Sequence, residues 1–323
     1  MRVLITGVTS FLGLYTAKLL LQEGHEVIGA VRPGSRRAQE LDAHGISAYP
    51  TYRTVHLDLS ELPEAELGEA HYAEVLGDTA ALIDAWIHFA WDGVGSAGRS
   101  DTNIQIENIQ NAKKAYLYAK LLGARKFLFA GSQAEYGIGN HRVPMPVSPY
   151  GKAKLSFGRW ATEQSLLSEI YDDAPMQFIH MRIYSVYGCG DHETSLVNTV
   201  LRAALRHEAI TLGPCEQRWN YLEVHDLARA IRILLRSEDT RTGIYDIAGS
   251  DSRMLKKYVI AMNAIAGDGA ELRFGTRANN AEGAANMSPE ILKLQRLGFH
   301  QEISFEAGIG MLLKAMREKS AES

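Results

Sequence analysis

The sequence predicts an α/β fold: a doubly wound parallel sheet followed by a smaller C-terminal α/β region. Short β-branched runs alternate with longer amphipathic ones through the first half of the chain, the signature of strand-helix-strand units. Several of those runs are apolar nearly throughout, as strands covered on both faces must be. A glycine-punctuated turn follows the first run and opens a helix. The strand candidates are Val3 to Thr6, Glu26 to Val31, Thr54 to Leu57, Ala85 to Phe89, Lys126 to Ala130 and Gln177 to Ile183. Phe11 to Glu23, Asn103 to Leu122 and Ser148 to Ser168 read as helices, with Gly24 and Gly123 where C-terminal stops belong. After Tyr187-Gly188 the rhythm breaks into a mixed region, and a polar stretch around Gly267 to Asn286 reads as loop.

Composition narrows the class of partner. The chain has 323 residues, 46% of them hydrophobic, enough for a sizeable core. A net charge of -4, with Lys and Arg scattered, leaves no electrostatic footprint for nucleic acid or an anionic membrane, so a small molecule is expected. Two cysteines, Cys189 and Cys215, without CxxC spacing or a nearby His cluster, indicate neither a disulfide framework nor a metal site. No run of about 18 apolar residues occurs, and Met1 to Ile5 enters the glycine turn without a signal-peptide pattern. A cytoplasmic protein is expected.

The turn Thr6-Gly7-Val8-Thr9-Ser10-Phe11-Leu12-Gly13 stands after a strand and before a helix. There, glycines permit a tight turn and close approach of backbone N–H groups to a pyrophosphate at the helix N-terminus. That predicts a Rossmann-like dinucleotide site holding Gly7, Thr9, Ser10, Phe11, Leu12 and Gly13 against the cofactor. NAD binders carry an acid for the ribose hydroxyl at the end of the second strand. Here Ala30 to Arg37 offers no acid and three arginines, Arg32, Arg36 and Arg37, which suit a 2′-phosphate. NADP(H) is therefore preferred and NAD(H) stays possible; the arginines read alternatively as solvated loop charges. Asp58, with Leu59 after it, is placed to meet the adenine, or to cap a turn.

Ser148-Pro149-Tyr150-Gly151-Lys152-Ala153-Lys154 puts Tyr150 and Lys154 on one face of a helix. A phenol of reference pKa near 10 is a poor proton exchanger at neutral pH, and an adjacent ammonium stabilises its anion. Ser132, just beyond the fifth strand, lies where ligands bind in open α/β sheets and can orient a carbonyl oxygen.

Together, the Thr6 to Gly13 turn, Ser132, Tyr136-Gly137 and the Tyr150/Lys154 pair resemble the extended short-chain dehydrogenase/reductase family, also called the NAD-dependent epimerase/dehydratase family. The family's glycine motif usually reads TGxxGFxG, and Ser10 replaces its middle glycine here. The resemblance implies a catalytic trio of Ser132, Tyr150 and Lys154, with Ala90 at the cofactor and Asn108 supporting the site. It also implies a homodimer through the 103–122 and 148–168 helices, to which Tyr116, Tyr118 and Leu121 would add apolar contacts, although such a stripe reads equally as intramolecular core.

Sugar-nucleotide dehydratases of this family carry an Asp-Glu pair directly after the catalytic hydroxyl residue, because eliminating water needs a further acid and base. Gln133 and Ala134 stand there instead, and Glu135 comes one position late, facing the other way if the strand continues. What remains is net reduction of a keto sugar or epimerisation through a transient ketone. The arginines favour a reductase, and Phe89 to Gly95 with Gln217 to Tyr221 are similar to 4-ketoreductases of CDP- or dTDP-4-keto-6-deoxy sugars such as abequose synthases. A nucleotide-sugar substrate is expected to meet Trp91, Gln133, Ser185, Arg218, Trp219 and Arg277, with Trp219 standing where many relatives hold a diphosphate-binding arginine. A cofactor-sensing regulator is the competing class; the complete trio speaks for the enzyme. The expected division is a dinucleotide-binding part over 1–188 with about 219–247, and a substrate-binding part over 189–218 and 248–323.

Overall fold

The computed structural model describes residues 1–62, 83–276 and 288–321. In chain order the strands are β1 (Arg2–Thr6), β2 (Glu26–Val31), β3 (Tyr52–His56), β4 (Ala85–His88), β5 (Lys126–Ser132), β6 (Gln177–Ile183), β7 (Ser185–Tyr187), β8 (Ala209–Thr211), β9 (Arg218–Glu223), β10 (Gly243–Ile247), β11 (Ser252–Met254) and β12 (Glu271–Arg273). The helices that matter most are α1 (Phe11–Gln22), α2 (Gln39–Ala43), α3 (Ser96–Ser100), α4 (Thr102–Leu121), α5 (Pro149–Tyr171), α6 (Leu196–Arg206), α7 (Val224–Arg236) and α8 (Leu255–Ala266), followed by α9 (Leu292–Arg296) and α10 (Phe305–Ala321).

Seven strands form the central sheet in the order β10-β6-β5-β4-β1-β2-β3, all pairings parallel. The order reverses between β1 and β4, and in such sheets the crevice at the carboxyl ends opens at that reversal. All six expected central strands are present, and β10 is a seventh the sequence reading missed. Its run Gly243-Ile244-Tyr245-Asp246-Ile247 carries an acid, and Asp246 is nevertheless 2% exposed because two tyrosine hydroxyls and a backbone N–H bond its carboxylate. Past the expected Gln177 to Ile183 strand the chain changes sheet: β6 ends at Ile183, and β7 joins a three-stranded sheet ordered β11-β9-β7. Gly267 to Asn286 is not loop throughout either, since β12 pairs with β8.

Both sheet faces are covered, as continuous apolar strands require. On one face Leu14, Ala17, Leu20 and Leu21 of α1 pack with Leu227, Ile231 and Leu234 of α7 over Val3, Ile5, Val27 and Ile87. On the other, Ala112, Ala115 and Tyr116 of α4 and Ala153, Phe157 and Ala161 of α5 pack over Leu4, Trp86, Phe127 and Phe129. Each such fully buried Leu, Ile or Phe contributes about 1.5–3 kcal/mol. Tyr116 and Tyr118, expected at a subunit contact, are 1% and 3% exposed and belong to this layer; Leu121 is 44% exposed. A third cluster joins α6, α8 and α10 through Leu201, Met262, Phe305 and Ile309.

Candidate active site

One cleft of about 1020 Å³ runs along the carboxyl ends of the strands, from Ala30 to Arg32 after β2, past Ser132 and Tyr150, to Trp219 and Tyr221 of β9. The elements that wall it are fixed locally. Ser148 caps α5, accepting a hydrogen bond from the Gly151 N–H at 3.1 Å, and Pro149 starts the helix, so Tyr150 falls in its first turn. A Cβ at Gly151 would run into the carbonyl oxygen of Ala134, which brings that turn against the one after Ser132. The expected trio therefore shares the cleft wall: Ser132, Tyr150 and Lys154 all line it.

Lys154 is 3% exposed. Its Nζ donates to the carbonyl of Ala130 at 2.6 Å and lies 3.8 Å from the centre of the Trp91 ring. Burial pushes the Lys154 ammonium well below its ordinary pKa, Glu135 opposes that, and Arg99 adds to it. Tyr150 is 7% exposed, with the Lys154 ammonium 5.6 Å from its ring centre.

Beneath Ser132 sits a charged network the sequence reading did not assemble. Glu135 is fully buried; its Oε1 accepts from the Ser132 N–H at 2.8 Å and stands 3.0 Å from His180 Nε2, and its Oε2 accepts from Arg182 Nε at 2.9 Å. Two glycines make the room: a Cβ at Gly131 would lie 2.5 Å from both Glu135 Oε1 and His180 Nε2, and one at Gly158 would collide with the His180 ring. Burial acts to raise the Glu135 pKa, but His180, Arg182 and the Ser132 N–H together hold the carboxyl below its usual range. Glu135 does not line the cleft, but not through strand alternation: β5 ends at Ser132, and the chain turns over Gln133 to Glu135 so that the carboxylate folds back onto the Ser132 N–H.

At the far end, Gly7 has φ +73°, and a Cβ there would lie 2.8 Å from the Ala90 nitrogen. Only glycine allows the turn to sit that close to the loop after β4. Thr9, Ser10, Phe11, Leu12, Leu59 and Ala90 line the cleft with it; Gly13 does not, because it packs on the backbone of Gly7 and Val8. Ser10 caps α1 and accepts from the Gly13 N–H at 3.1 Å, so that one donor of the first turn is already used. A deep groove with a tight glycine turn at a helix N-terminus fits a dinucleotide. Arg32 lines the groove but pairs with Asp92 at 3.1 Å. Arg37 lines it as well, whereas the expected Arg36 does not. Asp58 lines the groove and also caps a turn, accepting from the N–H and hydroxyl of Ser60, bonds that lower its pKa. Asn108 clamps the loop after β4: its Oδ1 accepts from Asp92 N–H and its Nδ2 donates to Asp92 O, each at 2.9 Å.

On the expected substrate side, Gln133 Nε2 donates to Ser185 Oγ at 3.3 Å, and Trp219 lines the cleft with them. Trp91 is only 9% exposed, and its indole donates to Gln105 Oε1 at 2.8 Å, so it serves as a floor under Lys154. Arg218 is not in the lining; it donates to the Ser252 carbonyl. Arg277 lies outside the described residues. Missed entirely were Arg99, whose guanidinium lies 4.6 Å from the Tyr150 ring centre, and the lining residues Asp191, His192 and Thr194. Their signal in the sequence is weak, since Arg99 stands in a five-residue helix and the others in a short loop, with no periodicity to orient them. Among the described residues no group of three or more His, Cys, Asp or Glu could hold a metal, and no helix is long and apolar enough to cross a membrane. Cys189 is half-buried, and burial raises its thiol pKa.

The family model described as the NAD dependent epimerase/dehydratase family matches residues 3–248. The chain is 23% identical over 287 residues to a CDP-abequose synthase of Yersinia pseudotuberculosis, spanning 87% of this chain and 90% of the relative. Among solved structures, a UDP-glucose 4-epimerase from Thermotoga maritima with UDP-glucose superposes with a TM-score of 0.80 at 18% identity, over 99% of this chain and 100% of that one. A Thermus thermophilus UDP-glucose 4-epimerase in complex with NAD gives 0.75 at 21% identity, over 98% and 99%.

Proposed function

The chain belongs to the NAD-dependent epimerase/dehydratase family, and from that premise we propose that it is an NADP(H)-dependent reductase of the keto group on a 4-keto-6-deoxy nucleotide sugar. The observation that carries the reading is the cleft itself: a buried Tyr150–Lys154–Ser132 wall, no Asp-Glu pair after Ser132, and arginines rather than an acid at the end of β2. Likeness to a CDP-abequose synthase supports the substrate class.

When bound, NADPH would supply the hydride for the sugar C4. Tyr150 gives its phenolic proton to the C4 oxygen as negative charge develops there, so one hydride and one proton convert ketone to alcohol. Ser132 donates a hydrogen bond to the same oxygen, from a backbone that Glu135 holds by its N–H. Lys154, whose Nζ bonds the Ala130 carbonyl, would hold the phenol poised and hydrogen-bond the nicotinamide ribose of a bound cofactor. Trp91, Phe129 and the first turn of α5 keep water from the ammonium. The cofactor is held by 1–188 with about 219–247 and the sugar nucleotide by the remainder; the enzyme acts in the cytoplasm as a homodimer packed through the outer faces of α4 and α5.

A second reading, epimerisation with retained NAD, is favoured by one observation: Arg32 is already paired with Asp92, which weakens its call on a 2′-phosphate. The test is to follow NADPH and NADH oxidation with 4-keto-6-deoxy nucleotide sugars of different bases. Stoichiometric NADPH loss with an alcohol product supports the reductase; an epimer without net cofactor loss supports the second reading.

A further inference from the structure

We propose that Arg99 is the fixed cation that keeps the Tyr150 phenol acidic, a positioning residue for proton transfer supplied by the loop after β4 and not by the catalytic helix. This rests on the reading of Tyr150 as the proton donor. The guanidinium carbon of Arg99 lies 4.6 Å from the Tyr150 ring centre and the Lys154 ammonium 5.6 Å from it, so both charges stand over the phenol ring. It is held there by its own Nε, which donates to the Val94 carbonyl at 2.7 Å, and by the short helix α3, capped by Gly95. Gly93 and Gly98 pack so tightly that a side chain on Gly98 would strike the Gly93 backbone, which fixes the path of this loop.

Two cations near one phenol divide the work by their chemistry. A guanidinium does not lose its proton at any physiological pH, whereas a desolvated ammonium does so readily. Lys154 is the desolvated one: it is 3% exposed, walled by Trp91 and Phe129, with its Nζ bonded to the Ala130 carbonyl. Arg99 is half-buried and keeps contact with solvent, so its charge costs less to maintain. Like charges repel, and Arg99 further disfavours the ammonium form of Lys154. The same guanidinium thus adds to Lys154 in stabilising a Tyr150 phenolate, and it keeps its charge where burial disfavours the ammonium. Among the described residues near this pair, Asp92 is paired with Arg32, Glu135 with Arg182 and His180, and Asp191 accepts from the His192 backbone. Lys152, exposed on α5, is on the opposite side of the helix turn from the buried Tyr150 and Lys154.

The test needs no substrate. The near-ultraviolet phenolate absorbance is titrated with pH for the wild type and for Tyr150→Phe, and the difference gives the Tyr150 midpoint. Arg99→Gln is expected to raise that midpoint by about one pH unit, and Arg99→Lys to restore at least half of the shift. An unmoved midpoint in Arg99→Gln, or equal shifts in Arg99→Gln and Arg99→Lys, would overturn the proposal. If Arg99→Gln is not folded by circular dichroism, Arg99→Met carries the same comparison. Failure here leaves the reductase standing; turnover retained by Tyr150→Phe would fail the reductase whatever the titration gives.

Discussion

Replacing Glu135 with Gln removes one charge and almost no volume, at a site where the environment is fully defined. Glu135 is 0% exposed, and the Arg182 side chain that it pairs with is 3% exposed. The carboxylate satisfies three donors: the Ser132 N–H, His180 Nε2 and Arg182 Nε. An amide offers one oxygen. If that oxygen keeps Ser132 and His180, the amide N–H₂ faces the Arg182 N–H; if it flips, two other donors meet a donor. Either way the Arg182 charge loses the carboxylate that pairs with it, and Tyr136, whose ring centre lies 4.4 Å away, is a neutral neighbour. Breaking one side of a buried pair costs about 3–5 kcal/mol. At roughly 2–4 °C per kcal/mol the midpoint should fall by on the order of 10 °C. Urea unfolding at neutral pH measures the cost, and Glu135→Gln/Arg182→Met is expected to recover part of it, because the stranded charge is gone. A loss below about 1 kcal/mol, or no recovery in the double variant, would refute the reasoning. The native carboxyl pKa is held down, so the contribution is present above the unfolded-state value near 4.5 and is lost as pH falls through the native one.

Further outcomes follow from other contacts. Gly7→Ala, with φ +73° and a Cβ 2.8 Å from the Ala90 nitrogen, should cost about 1–3 kcal/mol and abolish cofactor binding measured by fluorescence. Asn108→Ala strips both bonds from Asp92 and should destabilise by about 1–3 kcal/mol, with urea unfolding as the check. Burial lowers His88 to about 3, so the unfolded chain takes up its proton first as pH falls. Stability should therefore drop between pH 6.5 and 3 by about 1.4 kcal/mol per unit from this group, and His88→Leu should lose that slope. Arg32→Ser should raise the KM for NADPH about tenfold while leaving that for NADH unchanged.

What the sequence made legible follows from periodicity and position. Strands β1, β2, β4, β5 and β6 are apolar runs whose burial on both faces leaves little alternative, and the glycine turn is defined by where it stands. The Tyr150/Lys154 spacing is local to one helix turn, so it too can be read without the fold. Strand β10 escaped because its Asp246 looks like a surface residue until Tyr136 and Tyr184 arrive from distant segments to bond it. The same holds for the support of Ser132: Glu135, His180 and Arg182 are brought together by the β5–β6 pairing, and nothing in the one-dimensional pattern announces it. For Tyr116 and Tyr118 a subunit contact and intramolecular core stood equally open, because α4 has low amphipathic contrast; in the fold they pack in the core beside small alanines. Arg36 and Arg37 are adjacent in a short turn, and only its geometry decides which one reaches the groove.

The central claim is that Tyr150 gives the proton in a redox step at a cofactor held independently of it. The direct measurement is NADPH binding by fluorescence and single-turnover oxidation with a 4-keto-6-deoxy nucleotide sugar, compared between the wild type and Tyr150→Phe. Binding within about twofold of the wild type, with the oxidation rate down at least about 100-fold, is the expected result. Oxidation at the wild-type rate without the phenolic hydroxyl would contradict the account.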